Sequence, residues 1–161
     1  MSLVIDIHSK DEYPSCELSN FAEHEFYIDN VRCSSMEGFL QSLKFKSIKK
    51  QQQVCLLLGK DSKNSTRHTI VQLRWRTTHN LYWQGKRINR FSDEYQKLLD
   101  RAYCELSKNT DFIKALFETA EKELVHSIGK NDARKTVLTE YEFILRLNKI
   151  RGDAIKRKNV L

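Results

Sequence analysis

Apolar residues recur at three- and four-residue intervals through most of the C-terminal half of the chain, and this helical period most constrains the fold. After Ser92 the stripe comprises Tyr95, Leu98, Leu99, Ala102, Tyr103 and Leu106. A second stripe follows Thr110 and comprises Ile113, Leu116, Phe117, Ala120 and Leu124, with Gly129 expected to end the helix. The sequence Thr139-Glu140-Tyr141-Glu142 is a capping box and predicts a third helix to about Ile150.

The N-terminal third begins with extended segments and then changes to the helical period. Residues 24–33 predict a β-hairpin with Asp29-Asn30 as its two-residue turn. Met36, Phe39, Leu40 and Leu43 then predict a helix over residues 34–50, with a capping box at Ser34–Glu37, in which Glu37 reaches back to the cap amide. A further helix is expected over 52–58, ended by Gly59.

The pattern is weaker between residues 60 and 90. A polar loop is expected over 60–67, a strand where Val71, Leu73 and Trp75 alternate, and a turn at Tyr82–Lys86. The basic tail from residue 151 is expected to be frayed. The fold class predicted is therefore mainly α (α+β): a single helical domain over residues 1–161 with a small N-terminal β-hairpin, in agreement with one proline and five glycines.

The chain carries 28 Lys and Arg against 21 Asp and Glu, a formal net charge of +7. This surplus favours a partner that bears phosphate. No apolar run approaches the roughly 18 residues of a membrane span, and Asp6 and His8 interrupt any signal peptide, so a cytoplasmic protein with no membrane partner is expected. The four cysteines form no CxxC pair, and the common nucleotide-binding and hydrolase motifs are absent. Neither a metal site nor a cofactor is expected.

Glu37, Gln41 and Lys44 fall on one side of the helix predicted over 34–50, beside its apolar stripe. A carboxylate, an amide and an amine at the edge of a buried face are typical of a pocket that uses a general acid or base and a partly desolvated lysine. The alternative is that Glu37 serves the helix cap and Lys44 is an ordinary solvated side chain. Spacing leaves both interpretations open.

Three other places are candidates for ligand binding. Ser19-Asn20-Phe21 offers small polar groups beside an aromatic ring, or a simple turn. Asp132 lies in a basic loop and is either a catalytic carboxylate or the ion-pair partner of a neighbouring cation. Trp83, which basic residues flank, offers a base-stacking surface or core packing.

Taken in order, these segments resemble the NADAR domain family, whose members act on or are associated with NAD, ADP-ribose and related nucleotides. The family pattern of Ser-Asn-Phe followed by Ser-x-Glu-x-x-x-Gln-x-x-Lys-Phe matches Ser19-Asn20-Phe21, then Ser35, Glu37, Gln41, Lys44 and Phe45. Downstream family elements match Phe117–Ala120, Leu124–His126, Asn131-Asp132 and Phe143–Arg151. Two positions depart: the family's Trp-Gly-x-Gly is Ala133–Thr136 here, and the carboxylate of its Leu-Val-Glu is replaced by His126.

The resemblance implies hydrolysis of an N-glycosidic bond between ribose and a base or amine. The substrate would be an ADP-ribosyl or phosphoribosyl adduct, with ADP-ribosyl-guanine in DNA or RNA the specific expectation. Glu37 would be the acid or base, Lys44 the nucleophile or anchor, and Asp132 a supporting carboxylate. Ser19, Asn20, Phe21, Gln41 and Trp83 would bind the substrate. A non-catalytic module that binds ADP-ribose, NAD or nucleic acid is the alternative.

Overall fold

The computed structural model describes residues 3–160, which form short strands and helices around one hydrophobic core. The strands are β1 (Val4–Asp6), β2 (Phe26–Ile28), β3 (Val31–Cys33), β4 (Asn80–Trp83), β5 (Lys86–Asn89) and β6 (Glu123–Val125). The helices are α1 (Ser15–Leu18), α2 (Met36–Ser42), α3 (Ile48–Cys55), α4 (Gly59–Asn64), α5 (Ile70–Thr78), α6 (Asp93–Leu106), α7 (Thr110–Glu118) and α8 (Glu140–Val160). The α+β class with one domain is confirmed.

The strands pair two by two. β2 and β3 form the predicted hairpin, with Asp29 and Asn30 at φ of 48° and 63°, values that the asparagine and aspartate side chains tolerate in a tight turn. β4 and β5 form a second hairpin over the expected turn at Gln84-Gly85. β1 pairs in parallel with β6, so the start of the chain pairs with a segment that follows α7. The β-structure is therefore more widely spread than the single N-terminal element predicted.

The C-terminal helices begin where the capping residues indicate. Ser92 Oγ accepts a hydrogen bond from Tyr95 N at the start of α6, and all six residues of the α6 stripe are buried, as predicted. The capping box of α8 is also confirmed, because Glu142 N donates to Thr139 Oγ1 at 3.1 Å and Thr139 N donates to Glu142 Oε1 at 2.9 Å.

Several boundaries differ from the prediction. The helix expected over 34–50 is two helices, α2 and α3, and residues 60–67 contain α4 rather than a loop. Gly59 begins α4 instead of ending a helix. The strand expected at Val71–Trp75 is α5, which Thr69 caps. α7 ends at Glu118, well before Gly129, and Leu124 lies in β6.

The tail expected to fray from residue 151 is helical in α8 as far as Val160. Arg151 ties it to the body of the protein, because Arg151 Nη1 donates to Thr119 Oγ1 and to the carbonyl of Lys122, both at 2.9 Å. Residue 161, at the end of the expected tail, lies outside the described residues.

The break between α2 and α3 has a clear cause. Gln51 Nε2 donates to the carbonyl oxygen of Ser42, and Tyr82 N donates to that of Leu43 at 2.7 Å. These carbonyl groups are the ones that a continued helix would need. The chain turns after Leu43, and α3 starts again at Ser47, whose side chain caps it.

Gly38 lets α2 pack directly on the backbone that follows it. A Cβ atom at this position would lie 2.9 Å from the carbonyl oxygens of Cys55 and Leu57. The side chain of Ser35 fastens the same contact, since its hydroxyl donates to the carbonyl of Leu57 at 3.0 Å while accepting from Gly38 N. The position of α2 is thus fixed by backbone contact.

Candidate functional site

A cavity of about 990 Å³ lies between α2, α5 and the wall loop, defined as residues 126–139. Its polar lining comes from residues that are far apart in sequence, and includes Ser19, Asn20, Glu37, Gln41, Lys44, Thr66, Gln72, His126 and Thr139. Its volume lies at the upper end of the range of small-molecule and cofactor sites. The structure therefore brings together six of the eight residues that the sequence proposed for a site.

Glu37 lines the cavity from the first turn of α2. It does not serve the helix cap, because Ser35 caps the helix by accepting from Gly38 N. The Glu37 carboxylate instead accepts a hydrogen bond from Gln41 Nε2 at 2.8 Å. Burial raises the pKa of this carboxyl, and the hydrogen bond from Gln41 and the charge of Lys44 oppose the rise only in part. A carboxyl that keeps its proton to higher pH is suited to act as a general acid.

Lys44 is 5% exposed, so the interpretation as a solvated side chain is wrong. Its Nζ donates to Gln41 Oε1 at 2.7 Å, to Gln72 Oε1 at 2.7 Å and to Thr66 Oγ1 at 3.4 Å. Three acceptors match the three donors of an ammonium group. Burial nevertheless lowers the pKa of Lys44 to about 7, against the attraction of Glu37. Charged and neutral forms of the amine are therefore both populated near neutrality.

The Ser19–Phe21 segment packs against the start of α2. The carbonyl of Asn20 accepts a hydrogen bond from Glu37 N at 2.9 Å, and Asn20 Oδ1 accepts one from the buried Tyr103 hydroxyl at 2.7 Å. The amide group of Asn20 is thereby oriented, since its oxygen is already used. Phe21 N donates to Ser19 Oγ at 3.2 Å, which makes the segment a turn as well as part of the cavity lining.

A buried ion pair holds the wall loop in place. Arg90 is 1% exposed and makes two hydrogen bonds to Glu142, with Nη2 to Oε1 at 2.6 Å and Nη1 to Oε2 at 3.2 Å. Arg90 Nε also donates to the carbonyl of Thr136 at 3.0 Å. Glu142 accepts from Thr139 N, so one pair fixes both ends of the segment 136–139 that lines the cavity.

The entrance of the cavity is strongly cationic. Five cations of the lining form what we call the cationic rim: Lys63, Arg67, Arg76, Lys130 and Lys135. Arg76 also spans the entrance, because its Nη2 lies 3.5 Å from the carbonyl of Lys135 on the wall loop. Glu37 is the one carboxylate among the described lining residues. An anionic ligand is favoured by this balance of charge.

Asp132 and Trp83 are the two predicted site residues that the structure does not bring to the cavity. Asp132 Oδ1 accepts from Arg134 Nε at 3.0 Å, and this hydrogen bond lowers the pKa of Asp132. Trp83 is 5% exposed, packs edge-on against Phe39, and its Nε1 donates to Asp29 Oδ2 at 2.7 Å. In this structure both side chains make the contacts of the more ordinary interpretation.

Sequence reasoning missed the groups that α5 supplies. Thr69, Gln72, Leu73 and Arg76 all line the cavity and are spaced as one face of a helix. This helical spacing is present in the sequence, but the alternation of Val71, Leu73 and Trp75 favoured a strand instead. Thr66, which donates to Gln41 Oε1 at 2.6 Å, left no pattern that could have been found.

Two further properties concern only the part of the chain that the structure describes. Between residues 3 and 160, no helix combines the length and the apolar character needed to cross a membrane. Over the same range, no three His, Cys, Asp or Glu side chains are grouped so as to hold a metal ion.

The fold and the cavity define a small α+β protein with a YbiA-like fold. The structure matches that of YbiA from E. coli, solved by NMR, with a TM-score of 0.61, 15% sequence identity, and coverage of 98% of this chain and 89% of that one. At this identity the likeness concerns the fold.

The chain belongs to the family of bacteriophage protein GP30.3, whose model matches residues 12–152. It is 35% identical over 151 residues to an uncharacterized 17.1 kDa protein of the Gp30–rIII intergenic region of Enterobacteria phage T4. That alignment covers 92% of this chain and 97% of the phage T4 protein.

Proposed function

We propose that the protein is a hydrolase of NADAR type that cleaves an N-glycosidic bond of an ADP-ribosyl or phosphoribosyl adduct. The observation that carries the proposal is the placement of Glu37, whose pKa burial raises, in a large cavity behind the cationic rim. The rim supplies positive charge for phosphate groups, and Glu37 supplies a proton beyond it. The YbiA-like fold and the sequence pattern around Glu37 and Lys44 support the same assignment.

The reaction needs one proton at the leaving group. Protonated Glu37 donates it to the departing nitrogen of the base, while the C1′–N bond breaks and its electron pair goes to that nitrogen. A water molecule adds its oxygen to C1′ and loses a proton. The C1′ centre carries positive charge in the transition state, as in glycoside hydrolysis, and the Glu37 carboxylate left after proton transfer stabilises it.

Lys44 serves as an anchor in this scheme. Its Nζ donates to the side-chain oxygens of Gln41 and Gln72, and the amide of Gln41 in turn donates to Glu37. A covalent route through an imine of Lys44 is the alternative, because a pKa of about 7 leaves neutral amine available. Reduction with borohydride during turnover separates the two roles. A stable adduct mapped to Lys44 establishes the covalent route, and its absence leaves the anchor.

The preferred substrate is ADP-ribosyl-guanine within DNA or RNA. A free ADP-ribosyl group presents one pyrophosphate, whereas the cationic rim contains five basic side chains. The additional charge is accounted for when neighbouring phosphates of a strand lie across the entrance. An oligonucleotide carrying the adduct should then be hydrolysed with a lower KM than ADP-ribosyl-guanosine, and the advantage should disappear at high salt.

The decisive experiment is the Glu37→Gln variant, assayed on ADP-ribosyl-guanosine. Gln keeps the shape of the side chain and an oxygen that accepts from Gln41, but it cannot donate an acidic proton. We expect kcat to fall by about 10²–10⁴-fold. Glu105→Gln, an isosteric change on the exposed part of α6, is the matched control. Full activity of a folded Glu37→Gln protein would show that the catalytic assignment is wrong.

A non-catalytic binding module is the second candidate. It is favoured by the hydrogen bonds that hold Asp132 on Arg134, which remove one expected carboxylate from the cavity. Calorimetry with ADP-ribose and NAD beside the turnover assay distinguishes the two functions. Binding of ADP-ribose without turnover of any adduct identifies the module.

A further inference from the structure

His126 lines the cavity at the start of the wall loop, directly after β6. Its Nδ1 lies 2.7 Å from the carbonyl oxygen of Ile7, and a carbonyl only accepts, so Nδ1 carries the hydrogen. In the neutral ring Nε2 is therefore the unprotonated nitrogen. No described side chain or backbone group forms a hydrogen bond with Nε2.

The imidazole ring is held rigidly. It packs edge-on against Phe143 with ring centroids 5.3 Å apart. Gly129 also lies close against the ring, since a Cβ atom there would be 2.7 Å from His126 Cδ2. The backbone is also fixed, because His126 N donates to Glu140 Oε1 at 3.2 Å and Ile7 N donates to the carbonyl of Val125 at 2.8 Å. A ring fixed in both orientation and tautomer is what proton transfer requires.

We infer that His126 is the general base for the attacking water, paired with Glu37 as the general acid. The inference rests on the proposed function and adds the group that receives the second proton. The water oxygen bonds to C1′ while its proton passes to His126 Nε2. The C1′–N bond breaks, and the departing base takes the proton of Glu37. Solvent afterwards returns a proton to Glu37 and removes one from His126, so water and adduct yield the unmodified base or amine and free ADP-ribose or ribose phosphate.

The inference places Glu37 and His126 on opposite sides of the sugar, and this placement predicts a defined stereochemical course. When acid and base lie on opposite sides of the sugar, water enters opposite the leaving group and the configuration at C1′ is inverted. A mechanism in which Lys44 forms a covalent intermediate predicts no such fixed inversion. Proton NMR of the first product formed, recorded before the anomers equilibrate, reads out the difference.

The first test compares two variants of His126. His126→Asn keeps a nitrogen donor at the distance of Nδ1, which preserves the hydrogen bond to Ile7, but lacks a nitrogen in the place of Nε2. We expect its kcat to fall by about 10²–10⁴-fold while KM changes by less than about threefold. His126→Ala opens a space beside the cavity, and added imidazole is expected to restore turnover in that variant. A residue with only a structural role would not be rescued by a soluble base.

The outcomes separate the two proposals. If the wild-type protein turns over no adduct, the proposed function fails and this inference fails with it. If the wild-type protein is active and folded His126→Asn retains its kcat, the base is another group while the hydrolase assignment stands. Retention of configuration at C1′ also overturns the inference.

Discussion

Arg90 and Glu142 are 52 residues apart in sequence and form a two-pronged ion pair in the interior, with the guanidinium of Arg90 also 4.8 Å above the ring of Tyr95. The pair joins the residue after β5 to α8, and Arg90 also holds the wall loop at the carbonyl of Thr136. It therefore connects the stability of the protein to the shape of the site.

Removing one partner of this pair should be strongly destabilising. We expect Arg90→Met to lower the free energy of unfolding by about 3–5 kcal/mol, because it leaves the Glu142 carboxylate buried without its cation. Urea denaturation measures the change. Lys108→Met, which breaks the exposed pair with Glu105, is the control and should cost no more than about 1 kcal/mol. Equal effects of the two changes would contradict the prediction.

Lys44 should make stability depend on pH in the alkaline range. Its pKa is lowered to about 7 in the folded protein, against 10.5 for an ordinary lysine. Between these values the unfolded chain binds more protons, so the free energy of unfolding should rise with pH, by up to about 1.4 kcal/mol per unit. Lys44→Met should remove this slope, whereas Lys97→Met, at an exposed position on α6, should keep it. Parallel curves for the wild type and Lys44→Met would mean that Lys44 titrates as in water.

Glu37 should set the alkaline limit of activity. A general acid must be protonated, and burial raises the pKa of this carboxyl. Turnover should therefore decline as pH rises through that raised pKa. The residual activity of Glu37→Gln should be flat over the same range. The measurement is kcat/KM against pH for both proteins at constant ionic strength, and an unchanged alkaline limb in the variant would assign the limb to another group.

The cationic rim should control affinity rather than chemistry. We expect Arg76→Ala and Lys135→Ala each to raise KM for an oligonucleotide adduct several-fold and to lessen its dependence on salt, with kcat nearly unchanged. Lys97→Ala, outside the cavity, should leave both quantities as in the wild type. A loss confined to kcat would place these side chains at the reacting atoms instead.

The sequence predicted the elements whose ends carry their own signals. α6 and α8 have capping residues before a regular apolar stripe, and the first hairpin has a two-residue turn between β-formers. α5 gave the wrong period because Leu73 is 64% exposed while Trp75 is buried, so three apolar residues alternated without sharing a face. α4 is polar and has no stripe at all. Its formation depends on tertiary packing.

In the candidate site, too, the residues with a local sequence pattern were predicted and those that depend on tertiary packing were not. Glu37, Gln41 and Lys44 belong to one short stretch, and their spacing carried the information. Their partners Thr66 and Gln72 come from the turn after α4 and from α5, and only the fold brings them to Lys44. The break after α2 was equally hidden, since it depends on hydrogen bonds from Gln51 and Tyr82.

The close packing at Gly38 determines which side of the cavity is compliant. A contact between two backbone segments cannot be relieved by a change of side-chain rotamer. The helix that carries Glu37 and Gln41 is therefore held rigidly on this side of the cavity. The opposite side carries long basic side chains and exposed apolar ones, such as Ile70 and Ile128. Adjustment to ligands of different size is therefore expected in the exposed side chains at the entrance, such as Ile70 and Ile128, while the Glu37 carboxyl keeps its position.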